Sequence, residues 1–102
     1  MKADEIIHQP TRLRMMSALY PLTDVERLDF NQLKAISGAT DGNLGSHLAT
    51  LEKADYVQIK KDFVGKKPRT RINITRQGRR AFEQHIQYLR DIVETADCIA
   101  RG

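Results

Sequence analysis

The chain has one cysteine, Cys98, and no tryptophan among its 102 residues. A single thiol excludes an internal disulfide framework and any multi-cysteine zinc site, and it fits a reducing compartment. With three Phe and three Tyr as the benzenoid side chains, the core has to be mainly aliphatic. Prolines number three and glycines six, and no Pro/Gly/Ser-rich stretch, internal repeat or low-complexity segment divides the chain. One domain spanning residues 1–102 is therefore expected. No apolar run approaches the ~18–20 residues that cross a bilayer. The opening "MKADEIIHQP" puts acids where a signal peptide would carry its apolar stretch. These absences lead to the expectation of a cytoplasmic protein with no membrane partner. His8, His47, His85 and Cys98 are far apart in sequence and lack ligand spacing, so neither metal nor cofactor is expected. A nucleophile–base pair, a glycine-rich phosphate loop and paired carboxylates are also missing, which speaks against an enzyme.

Basic charge is what the chain has in one place. Between Lys60 and Arg80 lie nine basic residues against Asp62 alone. Since the whole chain carries 17 basic and 13 acidic residues, the other segments hold eight against twelve. A local charge of +8 thus sits on a body of −4. Within that block "FVGKKPRTRINIT" gathers Lys66, Lys67, Arg69 and Arg71. Like charges so close together repel unless a polyanion neutralises them, and nucleic acid, acidic proteins and anionic headgroups all qualify.

The periodicity gives an order of elements. Pro10 suits the first turn of a helix over about residues 10–20, with Leu13, Met16, Ala18, Leu19 and Tyr20 on its apolar face. A short strand is expected near Arg27–Leu28. Asp29 then caps a second helix, "FNQLKAIS", with Gln32 completing a capping box and Phe30, Leu33 and Ile36 on one face. Gly38 ends it, because glycine accepts positive φ without strain. Thr40 caps a third helix, whose Leu44, Leu48 and Leu51 recur at i, i+4, i+7. Two helices joined by a three-residue turn containing glycine make a helix-turn-helix, about residues 29–54. Two β-rich runs with Gly65 and Pro68 between them form a hairpin over about 56–75, and Thr75 caps a final helix over about 76–97. The predicted fold is mainly α with a small β-hairpin: an α+β winged helix-turn-helix, with a three-helix core and a long C-terminal helix.

In such a fold the third helix would enter the major groove. Opposite its leucine stripe fall Asn43, Ser46, His47 and Thr50, with Thr40 and Asp41 at the helix start. Asn pairs with adenine, and Ser, Thr and His can donate to bases or phosphates. No Arg lies between Thr40 and Thr50, so modest base readout is expected from this helix, with the wing residues Lys66, Lys67, Arg69 and Arg71 supplying much of the affinity. Gly42 and Gly45 each cost the helix roughly 1 kcal/mol relative to Ala. Two readings stand open for them: close approach of the backbone to DNA, or close packing inside the protein. For His47 the choices are a local hydrogen bond, a DNA contact or a metal.

The stretch "GATDGNLGSHLATLEKADYVQIKKDFVGKKPRTRINITRQGRRAF" resembles the winged-helix transcriptional regulators related to the MarR and ArsR groups, over about residues 8–90. "HLATLEKADYV" and "ITRQGRRAF" carry the likeness most strongly. The resemblance implies that Thr40, Asn43, Ser46 and His47 lie towards bases and phosphates, and that Lys66 to Arg71 form the wing. Gly45 stands where the family usually has Ser, and Asp55 where Gly is typical, though Asp tolerates the left-handed conformation. The cysteine pair of the metal-sensing members is absent.

Phe82, Ile86, Leu89, Val93, Ala96 and Ala100 recur at spacings of four and three along the last helix, broadened by Ile92 and Ile99. This is the seam of helices that pack side by side with a partner. Phe82 and Ile86 are expected to cover their own domain, and residues from Leu89 onward to join Ile6 and Ile7 in a homodimer. Two-fold symmetry would match a palindromic operator on double-stranded DNA. A pocket for an unknown small-molecule effector, between the first helix and the final helices of the dimer, is left open. The competing reading is a winged-helix protein–protein module.

Overall fold

The computed structural model describes residues 3–101. Asp4 caps a single helical turn, α1 (Glu5–His8), its carboxylate accepting from the Ile6 and Ile7 N–H groups. Four residues carry too little periodicity to be read in advance, and this element was not expected. Helix α2 (Pro10–Leu19) follows, with Gln9 as its N-cap and Pro10 at the first position. Strand β1 (Leu28–Asp29) leads directly into α3 (Phe30–Ser37), whose capping box is complete. Asp29 accepts from Gln32 N–H at 2.7 Å, and the Gln32 side chain accepts from Asp29 N–H at 2.9 Å. Gly38 (φ +71°) terminates α3, and Thr40 caps α4 (Asp41–Lys53).

The end of α4 is a Schellman turn. Asp55 N–H donates to the Glu52 carbonyl and Tyr56 N–H to that of Leu51, which needs Asp55 in the left-handed region, at φ +63°. Strands β2 (Val57–Val64) and β3 (Lys67–Ile74) form the hairpin. Val64 pairs with Lys67, so only Gly65 and Lys66 make the turn; Gly65 takes positive φ, as the first central residue of a type II′ turn must. Pro68 lies inside β3 opposite Phe63, rather than in the loop. It is tolerated because β1 reaches only Arg71 and Ile72, which leaves β3 an open edge at Pro68. The sheet order is β1-β3-β2, all antiparallel.

Thr75 starts the last helix, α5 (Arg76–Arg101), by accepting from Gly78 N–H at 2.9 Å. This helix runs four residues beyond the expected end. At ~1.5 Å per residue its 26 residues span about 39 Å, and much of that length stands clear of the body. The molecule measures 62 × 26 × 20 Å, with a radius of gyration of 15.6 Å. A compact chain of this size would have about 13 Å.

The core gathers Met15, Met16 and Leu19 of α2, Leu33 of α3, the α4 leucines 44, 48 and 51, the sheet residues Val57, Ile72 and Ile74, and Ala81 and Phe82 of α5. Two expectations fail here. Ile36, assigned to the inner face of α3, is 50% exposed, and Ser37 is buried in its place. The Ser37 hydroxyl donates to the Lys34 carbonyl and accepts from Ala39 N–H, so its burial leaves no polar atom unpaired. Ile7, assigned to a dimer interface, is fully buried in this chain's own core, where the α1 turn carries it; a residue so placed has no surface to offer a partner. Ile6 is partly buried against the same core.

Candidate nucleic-acid interface

Helix α4 divides as its sequence requires. Leu44, Leu48 and Leu51 are buried, while Thr40, Asp41, Gly42, Asn43, Gly45 and Ser46 are exposed and His47 and Thr50 are half-buried. A Cβ added at Gly42 or Gly45 would meet nothing within 4 Å. Close packing inside the chain therefore does not explain either glycine. They leave a bare strip of helix backbone open to the outside.

Several polar groups on this face are already engaged. The Thr40 hydroxyl accepts from Asn43 N–H at 3.2 Å, and the Thr50 hydroxyl donates to the Ser46 carbonyl at 3.2 Å. Asp41 forms an ion pair with Lys34 at 2.6 Å, tying the start of α4 to α3 across the turn. That pairing offsets a negative charge on the exposed face of α4. His47 is met by Arg12 of α2, whose Nη1 lies 3.1 Å from His47 Nδ1. Burial, and then the Arg12 charge, hold the imidazole below its ordinary pKa.

The wing is more selectively charged than its sequence suggests. On one face of the hairpin Asp62 takes a two-pronged contact from Arg69, at 2.9 Å for both bonds, and a third from Arg71 at 2.9 Å. Hydrogen bonding from Arg69 is the main cause that lowers the Asp62 pKa far below the ordinary carboxylate range. Arg69 and Arg71 are half-buried, whereas Lys66 and Lys67 are exposed. Arg79, another member of the basic block, donates from Nη1 to the Tyr20 carbonyl at 2.7 Å and from Nη2 to that of Leu22. It closes the carbonyl end of α2 and is structural. Among the described residues, Lys60, Lys61, Lys66, Lys67, Arg76 and Arg80 make no ion pair. These six are the unpaired share of the charge. The tip also carries Phe63, 70% exposed, and Val64.

The histidines are not all far apart in space. His8 and His85 meet edge to face at 5.3 Å, and Tyr88 stacks on His85 at 5.9 Å. Among the described residues no group of three or more His, Cys, Asp or Glu is placed to hold a metal, and no helix is long and apolar enough to cross a membrane.

Along α5 the seam splits at Leu89. Phe82 is buried and Ile86 partly so, whereas Val93, Ala96, Ile99 and Ala100 are exposed, Val93 at 66% and Ile99 at 75%. Open apolar grooves flank the exposed half, one lined by Tyr88, Ile92, Ala96 and Ile99 and one by Ile86, Leu89 and Val93.

A helix-turn-helix with a bare polar outer face, followed by a cationic two-stranded wing, defines a winged helix of the DNA-binding class. The chain belongs to the family described as winged helix DNA-binding domain, which matches residues 11–93. It is 34% identical over 94 residues to an uncharacterized protein of Methanocaldococcus jannaschii, covering 92% of this chain and 99% of that one. Among solved structures it resembles a transcriptional regulator homologue protein from Pyrococcus horikoshii OT3, with a TM-score of 0.81 and 29% identity over 92% of this chain and 90% of the other. The resemblance to winged-helix transcriptional regulators is borne out.

Proposed function

We propose that the chain acts as a homodimeric, sequence-specific regulator of transcription in the MarR/ArsR manner. In this reading α4 lies in the major groove of double-stranded DNA and the β2–β3 wing rests on backbone or minor groove. The observation that carries the reading is the outer face of α4, where Gly42, Asn43, Gly45 and Ser46 are exposed with no side chain of this chain packed over the glycines. Base readout falls to Asn43 and Ser46, with Thr40, Asp41, His47 and Thr50 at the margins. Lys66 and Lys67 are the cations at the wing tip that meet phosphates, and Arg69 and Arg71 join them at reduced net charge because of Asp62. The apolar half of α5, with Leu89, Ile92, Val93 and Ala96, provides the dimer contact, joined by the partly buried Ile6. An effector would find the groove between the end of α2 and α5, beside Tyr20, Phe82 and Arg90. A DNA ligand would place the protein in the cytoplasm of a cell without a nucleus.

The second reading, a protein–protein module, draws on the exposed Phe63 and Val64 at the wing tip. Selection of bound sequences from a random duplex library separates the two. An enriched palindrome is expected, and no enrichment would favour the protein module. A salt series then assigns the parts. Lys66→Ala with Lys67→Ala should reduce the slope of log K against log salt by roughly two per wing and weaken all duplexes alike. Asn43→Ala should remove ~1–3 kcal/mol of discrimination at one base position and leave the slope nearly unchanged.

A further inference from the structure

The contact between Arg12 and His47 joins residues 35 apart in sequence, at the seam between α2 and the DNA-facing side of α4. A guanidinium has five N–H donors and no acceptor. With Arg12 Nη1 at 3.1 Å, His47 Nδ1 can only be the acceptor, so the ring proton must sit on Nε2. Arg12 is itself held, because its Nε donates to the Ile6 carbonyl. Arg12 is therefore fixed at both ends of its fork, by the α1 turn and by the imidazole.

We propose that Arg12 is a positioning residue for DNA recognition, which locks His47 as the neutral Nε2–H tautomer and presents that one N–H to a hydrogen-bond acceptor on the duplex. The inference rests on the DNA-binding reading given above. His47 lies on the flank of the polar face, half-buried beside α2, where a phosphate oxygen bordering the groove is the acceptor it best fits. Among the described residues, Arg12 is the charged group at hydrogen-bond distance of the ring. The α4 positions one turn away, Asn43, Leu44, Thr50 and Leu51, carry no charge, and at the head of α4 Asp41 is paired with Lys34. Protonating the imidazole would set an Nδ1–H against the guanidinium donors, so burial and the Arg12 charge both oppose it. The contact with DNA is thus made by a neutral ring, whose protonation is held to a lower pH than that of an ordinary histidine.

The clamp is tested first on the full chain without DNA. A long-range 1H–15N spectrum of His47 at pH 7.5 should show a single Nε2–H tautomer, with protonation only at a pH below that of an ordinary histidine. In Arg12→Met the ring should become a tautomer mixture whose pKa rises but stays below the ordinary value, because burial persists. Duplex affinity is then measured against pH and salt. Any histidine step in wild-type binding should fall at lower pH than the step in Arg12→Met. Arg12→Met should bind roughly fivefold more weakly at pH 7.5 and recover as the pH falls and His47 becomes cationic. Its salt slope at pH 7.5 should be unchanged, whereas losing a direct phosphate contact would cut the slope by about 0.9. Arg12→Lys retains the charge without the fork and should behave like Arg12→Met; full rescue by Lys, or a reduced slope, would mean that Arg12 touches phosphate itself and overturns the proposal. His47→Gln, a donor that cannot titrate, should abolish the pH response in the Arg12→Met background. Equal weakening of all duplexes by His47→Gln supports a phosphate acceptor, while a loss confined to one base pair overturns that choice in favour of a base edge. Should Arg12→Met fail to fold, the wild-type spectrum decides, and an Nδ1–H ring overturns the clamp. A wild type with the stated tautomer that binds no duplex overturns the DNA reading instead, and the recognition role with it.

Discussion

Three glycines of the same composition meet different demands. A Cβ at Gly78 would lie 2.1 Å from the Tyr56 carbonyl oxygen, at the joint where Thr75 N–H also donates to that oxygen. Backbone cannot yield as a side-chain tip can, so Gly78→Ala should lower stability by ~3 kcal/mol, at the upper end of overpacking costs. Gly42→Ala and Gly45→Ala enter open space on a helix, and each should raise stability by ~1 kcal/mol while weakening duplex binding if the backbone meets DNA. Denaturant unfolding of the three variants beside a binding titration gives both signs. His85 makes a second residue-scale case. It is fully buried, its Nδ1 accepts from Asp4 N–H at 3.1 Å, and among the described residues its Nε2 has no partner. Burial first, then nearby His8, push its pKa down, against the opposing pull of Asp4. The unfolded chain therefore takes up the proton first as pH falls. The stability tied to the neutral ring is complete above about pH 6.5 and is lost as the pH drops from there towards the folded-state value. Thermal unfolding between pH 7.5 and 5 should show this loss, with a shallower dependence in His85→Leu. Equal slopes in the two proteins would assign the titration to another group, His47 being the next in line.

At the scale of the element, the wing shows how a charge count misleads. Asp62 takes three contacts from Arg69 and Arg71 across the hairpin, because residues 62, 69 and 71 share one face of the two-stranded register. The hairpin so braced presents Lys66 at its turn and Lys67 beside it, while the arginines act at reduced net charge. Asp62→Asn should release one unit of positive charge, raise affinity for any duplex, and steepen the salt slope by about 0.9. Weaker binding with an unchanged slope would show that the carboxylate orients the arginines rather than masking them. The joint of α4, β2 and α5 is braced likewise, since the Thr75 hydroxyl donates to the Asp55 carbonyl at 2.6 Å and accepts from Gly78 N–H. This fixes the wing's base relative to α4.

For the whole molecule, the proposed dimer rests on the projecting half of α5. Val93, Ile92 and Ile99 are exposed on a helix whose first turns are anchored by Phe82 and Ala81, and the long axis of 62 Å comes from this extension. Exposed apolar side chains at coiled-coil spacing gain most from a second helix. Leu89→Asp combined with Val93→Asp should give a monomer that keeps its fold and binds an operator weakly. Sedimentation of the wild type at micromolar concentration is the prior check, and a monomer there removes the dimer from the proposal.

Local chemistry was enough to read the helix-turn-helix from the sequence. The Asp29–Gln32 capping box, Gly38, Thr40 and the leucine stripe each act over four or fewer residues or along one helix face, and all appear in the structure as expected. The hairpin, its glycine turn and the left-handed Asp55 were legible for the same reason. Contacts between one element and another were not. Pairing of Asp62 with its arginines depends on strand register, the Arg79 cap on how α5 crosses the end of α2, and the His8–His85 and Arg12–His47 contacts on how α1 and α2 settle against α5 and α4. Burial of Ile7 and exposure of Ile36 belong with these, since either isoleucine suits a core or a surface equally well as a residue type. Sequence determined which faces exist. The tertiary structure alone decided what each face meets, because a hydrogen bond or an ion pair depends on distance in space, which strand register and helix packing set and the chain's periodicity does not record.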